Sequence, residues 1–150
     1  MMTEALLISA ARAQHVEKVI RPALKAGTWV ISDRYADSTR VYQGIIGGVP
    51  TPELETIIAI STGKLNPDIT FLLDCDVKLA ASRRQERGAD HEDAIKRYDD
   101  KKTEFHERLR HAYLRLANDF AHRIHVIDAA QKPQDVANDA IKALNVRFAL

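Results

Sequence analysis

Three short apolar runs, set far apart and separated by stretches with helical spacing, limit what this chain can build. They are Trp29-Val30-Ile31-Ser32, Ile69-Thr70-Phe71-Leu72-Leu73 and Ile124-His125-Val126-Ile127. Each reads as a strand, and Trp29–Ser32 suits one buried on both faces. Strands this far apart, with helical sequence between them, pair in parallel through right-handed crossovers. The expected class is therefore α/β: one domain over residues 1–150, with a parallel sheet and flanking helices.

The helical stretches have recognisable ends. Thr3 and Glu4 form a start signal, and Leu6, Leu7, Ala10, Ala13, Val19, Ile20 and Leu24 follow at helical spacing. Pro22 predicts a kink or restart, and Gly27 a stop. A helix is expected over Glu53–Thr62, and charged helical sequence from Val77 to about Phe120 with a break near Gly88. A last amphipathic helix opens at Pro133. Asn66-Pro67-Asp68 is a turn signal ahead of the second strand.

Composition narrows the function. Net charge is +1, with 29% charged residues of both signs, so a nucleic-acid partner is not expected and any anion must be held by a local cluster. No apolar run reaches bilayer length, which predicts no membrane span. The start has no basic n-region, and the single cysteine, Cys75, allows no internal disulfide; together these predict a cytoplasmic protein. Cys75 ends a strand-like run and reads as a small packing residue. Asp90-His91-Glu92-Asp93 matches no standard metal spacing and reads as a solvated tip, and the scattered histidines form no ligand pair.

In an open parallel sheet, ligands bind beyond the carboxyl ends of the strands. Asp33-Arg34-Tyr35 directly follows the first strand-like run. A carboxylate and a guanidinium there suit a metal-bound phosphate. They also suit a surface ion pair, and both readings stay open on position alone. Ser38, Thr39, Tyr42, Gln43 and Gly44 follow, a set of hydrogen-bonding groups fit for a base and a sugar, or simply a polar loop.

The segment AARAQHVEKVIRPALKAGTWVISDRYADSTRVYQG resembles the thymidylate kinase family, in which an Ala-Arg helix segment precedes a DRY motif and a YQG. The likeness continues through Asn66–Asp74, through Arg97-Tyr98-Asp99 before Phe105–Arg110, and through Val126–Ala129. It implies a nucleoside monophosphate kinase that moves the γ-phosphoryl group of ATP-Mg onto dTMP. On that resemblance Arg12 hydrogen-bonds the thymine edge, with Thr39 assisting and Ile8 beside the ring. Arg34 binds the dTMP phosphate, and Asp33 organises Mg2+ through the ion or its waters. Tyr42 packs on the deoxyribose where a 2′-hydroxyl would clash, Gln43 supports the sugar side, and Ser38 is a further substrate-binding residue. Arg97, with Arg83, Arg84 and Arg87, comes from a lid at about residues 83–102. The resemblance also implies a homodimer through helices that include residues 3 to 26. Apart from Arg97, the basic residues of the lid alternate with acids, as an ordinary solvated helix face does.

The sequence departs from the family pattern in several places. The family opens with a strand, a GxxxxGK[ST] loop and a helix, then a second strand. No such run occurs in these 150 residues. The expected architecture is thus a P-loop-kinase-like sheet lacking the first two strands and the P-loop, with an incomplete ATP site and impaired turnover. Ile8 stands where the family commonly has Phe, and Gly47 where Arg is common. The Gly88–Arg97 stretch is longer than usual. The alternatives are a non-catalytic dTMP-binding or dimer-forming remnant, or a kinase of another nucleotide.

Overall fold

The computed structural model of the chain describes residues 1–86 and 103–149. The fold comprises two compact units, residues 1–66 and 67–150.

Unit 1 is helical. Helix α1 (Met2–His15) runs without interruption into a π-helical turn (Val16–Ile20) and then α2 (Arg21–Lys25). Pro22 was expected to kink or break this helix. A proline interior to a helix removes a donor and crowds the carbonyl four residues back. Here the wider π turn lies directly ahead of it, where that crowding falls, and the helix continues. The buried face of α1 is the row Ala5, Ser9, Arg12, with Val16 and Ile20 continuing it. Leu6, Leu7, Val19 and Leu24 lie outside that row and are exposed.

The short helix α3 (Ala36–Thr39) passes into a second π-helical segment (Arg40–Ile46), and α4 (Thr51–Thr62) follows with Pro52 in its first turn. Ala5, Ala36, Val49, Leu54 and Ile58 form the core of the unit, with Tyr35 packed against it. Gly44, the glycine of YQG, is required by this packing: a Cβ there would lie 2.8 Å from Leu54 Cδ2. Helix α4 ends at Gly63 in the left-handed conformation, φ 56°, the usual C-terminal stop. Arg21 Nη2 donates to the Gly63 carbonyl at 2.9 Å, satisfying one of the orphan acceptors at that helix end.

The first strand-like run also departs from the sequence expectation. Trp29–Ser32 does not form a strand; Ile31 is 97% and Trp29 61% exposed. Apolar composition only fits a residue for a pleated, covered surface. A strand exists through its ladder partner, and no strand among the described residues pairs with this segment.

Unit 2 carries the sheet. Strands β1 (Thr70–Asp74) and β2 (Ile124–Asp128) pair in parallel with Thr70 opposite Ile124 and Asp74 opposite Asp128. Helices α5 (Val77–Glu86), α6 (Thr103–Asp119) and α7 (Pro133–Phe148) accompany them. Ala112, Leu116 and Ala117 of α6 are buried, as are Ile124 and Ile127 of β2. Thus the second and third strand-like runs, the parallel pairing and the Pro133 helix start follow the sequence reading. Arg110 makes a bidentate pair with Asp74 at 2.7 and 2.8 Å, pinning α6 to the carboxyl end of β1. That carboxylate fork raises the Arg110 guanidinium pKa above its ordinary value.

Candidate functional site

In unit 1 the residues singled out by sequence gather on two neighbouring elements, α1 and the stretch Asp33–Gln43. Arg12 sits on the buried face of α1 and is 8% exposed. Its Nη2 donates to the Thr39 hydroxyl at 2.5 Å. Its guanidinium carbon lies 5.6 Å from the centroid of the Tyr35 ring, within cation–π range. Nη1 is also buried, with no partner among the described residues. A buried, unsatisfied guanidinium N–H is costly, so this donor is disposed to donate to a ligand's carbonyl. Ser9, one turn earlier on the same face, likewise has a buried hydroxyl without a described partner.

Burial holds the Arg12 guanidinium below its usual pKa, and the neighbouring Arg40 charge adds to this. The electrostatic effects of Tyr35 and Asp37 act the other way. Tyr35 shifts upward because burial disfavours the phenolate, although Arg12 and Arg21 oppose the shift. Its hydroxyl donates to the Leu65 carbonyl at 3.3 Å.

The second pairing is Arg34 with Tyr42, whose ring centroid is 5.3 Å from the guanidinium carbon. Arg34 has φ 66°, in the left-handed region that a non-glycine residue enters at a cost. The Ser32 hydroxyl donates to the Arg34 carbonyl at 2.8 Å and helps to hold this turn. Gln43 is 3% exposed, and its amide donates to Glu4 Oε1 of α1 at 3.4 Å. Ser38 is half-buried; its backbone N–H donates to the Tyr35 carbonyl at 3.2 Å, closing the first turn of α3. Ile8 is 40% exposed, on α1 one turn before Arg12. Asp33 is exposed. Gly47 is closely confined: a Cβ there would lie 2.7 Å from the Gln43 carbonyl and 2.8 Å from that of Tyr42, so this turn has no room for a side chain.

The arginines of the expected lid belong to unit 2. Arg83, on α5, donates to the Ala129 carbonyl at 2.5 Å and the Ala130 carbonyl at 3.1 Å, bracing the loop after β2. Arg84 lines a cavity of about 190 Å³ with Cys75, His106 and Tyr113. Arg87, Arg97 and the Asp90–Asp93 cluster lie outside the described residues. No metal-binding group of three or more His, Cys, Asp or Glu occurs among the described residues. No described helix is long and apolar enough to cross a membrane.

Sequence reasoning gave Tyr35 no role beyond its place in the DRY motif, and it missed Ser9 and the contact of Glu4 with Gln43. These depend on α1 lying against residues some thirty positions away, which no local spacing encodes.

The chain is thus an α/β protein with a parallel strand pair, and in its helical unit a buried arginine lies against Thr39 and Tyr35. Comparison with known proteins makes the assignment narrower. The thymidylate kinase family model matches residues 1–140. Thymidylate kinase of Desulfovibrio desulfuricans is 44% identical over 135 residues, covering 89% of this chain. That of Symbiobacterium thermophilum is 42% identical over 138 residues, covering 92%. The crystal structure of thymidylate kinase from Ehrlichia chaffeensis superimposes with a TM-score of 0.71 at 28% identity, covering 95% of this chain and 66% of that one. The chain therefore belongs to the thymidylate kinase family. It spans 62% of the length of each of the two bacterial relatives.

Proposed function

We propose that the chain carries the dTMP-recognition part of a thymidylate kinase, whose reaction transfers the γ-phosphoryl group of ATP-Mg to dTMP, giving dTDP and ADP. The observation that carries this reading is the Arg12–Thr39 contact, with Arg12 buried and its Nη1 still without a described partner beside Tyr35. Thymine offers carbonyl acceptors along its pairing edge, and a fixed guanidinium donor is suited to one of them. Ile8 supplies apolar contact to the ring. Tyr42, with Arg34 over it, covers the sugar and favours deoxyribose, while Ser38 and Gln43 support that side. Arg34 then binds the nucleotide's phosphate.

Asp33 is the residue that would hold Mg2+. A single exposed carboxylate fits, because this ion keeps several waters and takes one or two protein carboxylates together with substrate phosphates. When bound, Mg2+ neutralises charge on the transferring phosphates. The remaining work of these residues is positioning, on which phosphoryl transfer mainly depends. Arg83, Arg84, Arg87 and Arg97 are assigned to the phosphate side by the resemblance alone. The exposed leucines Leu6, Leu7 and Leu24 support a homodimer through α1 and α2, and the absence of an internal disulfide supports a cytoplasmic setting.

The test is a pair of titrations of the 150-residue chain, with dTMP and with ATP-Mg, beside a coupled turnover assay. The reading expects dTMP binding that is lost in Arg12→Met, weak ATP binding and low turnover, since these residues contain no GxxxxGK[ST] run. Absence of dTMP binding refutes it, and rapid turnover refutes the low-activity part.

A further inference from the structure

Arg40, directly after Thr39, forms an ion cluster with Glu55 and Asp37. Its Nε and Nη2 donate to the two carboxylate oxygens of Glu55 on α4, at 2.7 and 2.8 Å, and its Nη1 donates to Asp37 at 3.0 Å. The Arg40 and Asp37 side chains are only 11% and 12% exposed, and that of Glu55 is 42% exposed. A guanidinium fork shared between two carboxylates fixes direction as well as distance, which a lysine cannot do. Burial alone would lower the Arg40 pKa, but the hydrogen bonds and charges of Glu55 and Asp37 outweigh it and raise the pKa.

The location matters because α3 is a single turn of four residues. So short a helix is not self-sustaining. It passes into a π-helical segment, whose geometry must also be enforced by its surroundings. The cluster ties both ends of the Asp37–Arg40 turn to one another and to α4, and Thr39 lies within that turn. Asp37 has a second significance. Its charge is felt at Arg12, so an Asp37 released from Arg40 becomes a competing acceptor for the Arg12 guanidinium.

We infer that Arg40, held by Glu55 and Asp37, is a positioning residue that aims the Thr39 hydroxyl at Arg12 and thereby sets the preference for the nucleotide base. This rests on the reading of Arg12 and Thr39 as the base-recognition pair. Arg40 acts through Thr39 and Asp37, beside the direct effect of its charge on Arg12.

The test compares the wild-type chain, Arg40→Met, Arg40→Lys and Glu55→Gln by calorimetric titration with dTMP and dCMP, whose bases differ in the groups on the edge Arg12 would read. Loss of positioning should reduce the dTMP-over-dCMP preference about tenfold in Arg40→Met, the scale of one charge-assisted hydrogen bond. Arg40→Lys should not restore it, and Glu55→Gln should fall between. A purely structural brace would weaken both nucleotides equally, and an unchanged preference overturns the inference. Glu55→Gln keeps the question answerable if Arg40→Met does not fold. A ligand-free arm separates this inference from the reading beneath it: in urea unfolding, the midpoint shift caused by Thr39→Val should be largely lost in the Arg40→Met background. Additive shifts overturn the inference even if dTMP binds. If the shifts are coupled but the wild-type chain has no base preference, the positioning of Thr39 is supported while the base-setting role and the recognition reading beneath it both fail.

Discussion

Thr39→Val is the most informative single perturbation of this molecule. Thr39 is 1% exposed, and valine has nearly the same shape, so the change removes an acceptor without opening a cavity. What it leaves behind is the expensive part. Arg12 is buried, its Nη1 already has no described partner, and the substitution deprives Nη2 of the hydroxyl at 2.5 Å. A hydrogen bond to a charged group contributes about 1.5–3 kcal/mol, and a stranded buried charge stands at the upper end of that range. Part of the loss is recovered if the guanidinium turns towards Tyr35 or Asp37, both electrostatically coupled to it. The net expectation is about 2 kcal/mol. With a urea m-value of about 2 kcal/mol/M, that lowers the midpoint by about 1 M. The assay is equilibrium urea unfolding followed by the fluorescence of Trp29, the chain's one tryptophan, which lies in the same compact unit. Far-UV circular dichroism on the same samples reports the whole chain and shows whether the two units unfold together. A loss below about 0.5 kcal/mol, the ordinary scatter of an inconsequential substitution, would refute the claim that Thr39 anchors Arg12.

The other predictions concern different parts of the structure. Tyr35 has a raised pKa, so its contribution to stability is complete below the unfolded value of about 10 and is lost as pH rises through the higher folded value. Tyr35→Phe should therefore flatten the decline in urea midpoint above about pH 10, and an equally steep decline in both proteins counts against the assignment. Gly63→Ala should destabilise by roughly 1–2 kcal/mol in thermal melts, because φ is +56°, a conformation strained for any residue with a Cβ. A neutral result would mean the turn relaxes freely. Ile8→Phe should tighten dTMP binding several-fold by calorimetry, through ring stacking worth about 0.5–1.5 kcal/mol, and unchanged affinity would place Ile8 away from the base.

Much of unit 2 was legible in the sequence because its signals are local. The Pro67-Asp68 turn residues at its start, the apolar runs leading to Asp74 and Asp128, and the proline that opens α7 each carry their own stop or start. Trp29–Ser32 reads just as much like a strand and is not one, since pairing depends on a neighbour rather than on the residues of the run. The π-helical turns at Val16–Ile20 and Arg40–Ile46 were also invisible, because hydrophobic spacing hardly distinguishes them from α-helix.

By itself the sequence determined the α/β class, the parallel pairing and the motif residues Arg12, Asp33, Arg34, Thr39, Tyr42 and Gln43 as candidates. The class and the pairing follow from residue type and short-range spacing, and the candidates from the motifs that the chain shares with the thymidylate kinase family. Only the tertiary structure decided that Arg12 is buried against Thr39 and Tyr35, and that Arg40 bridges α3 to Glu55 on α4. Those contacts join residues from 15 to 27 positions apart, and they exist because the apolar faces of α1 and α4 must be covered. The polar groups brought along with those faces then had to find partners, since a buried donor without one is costly.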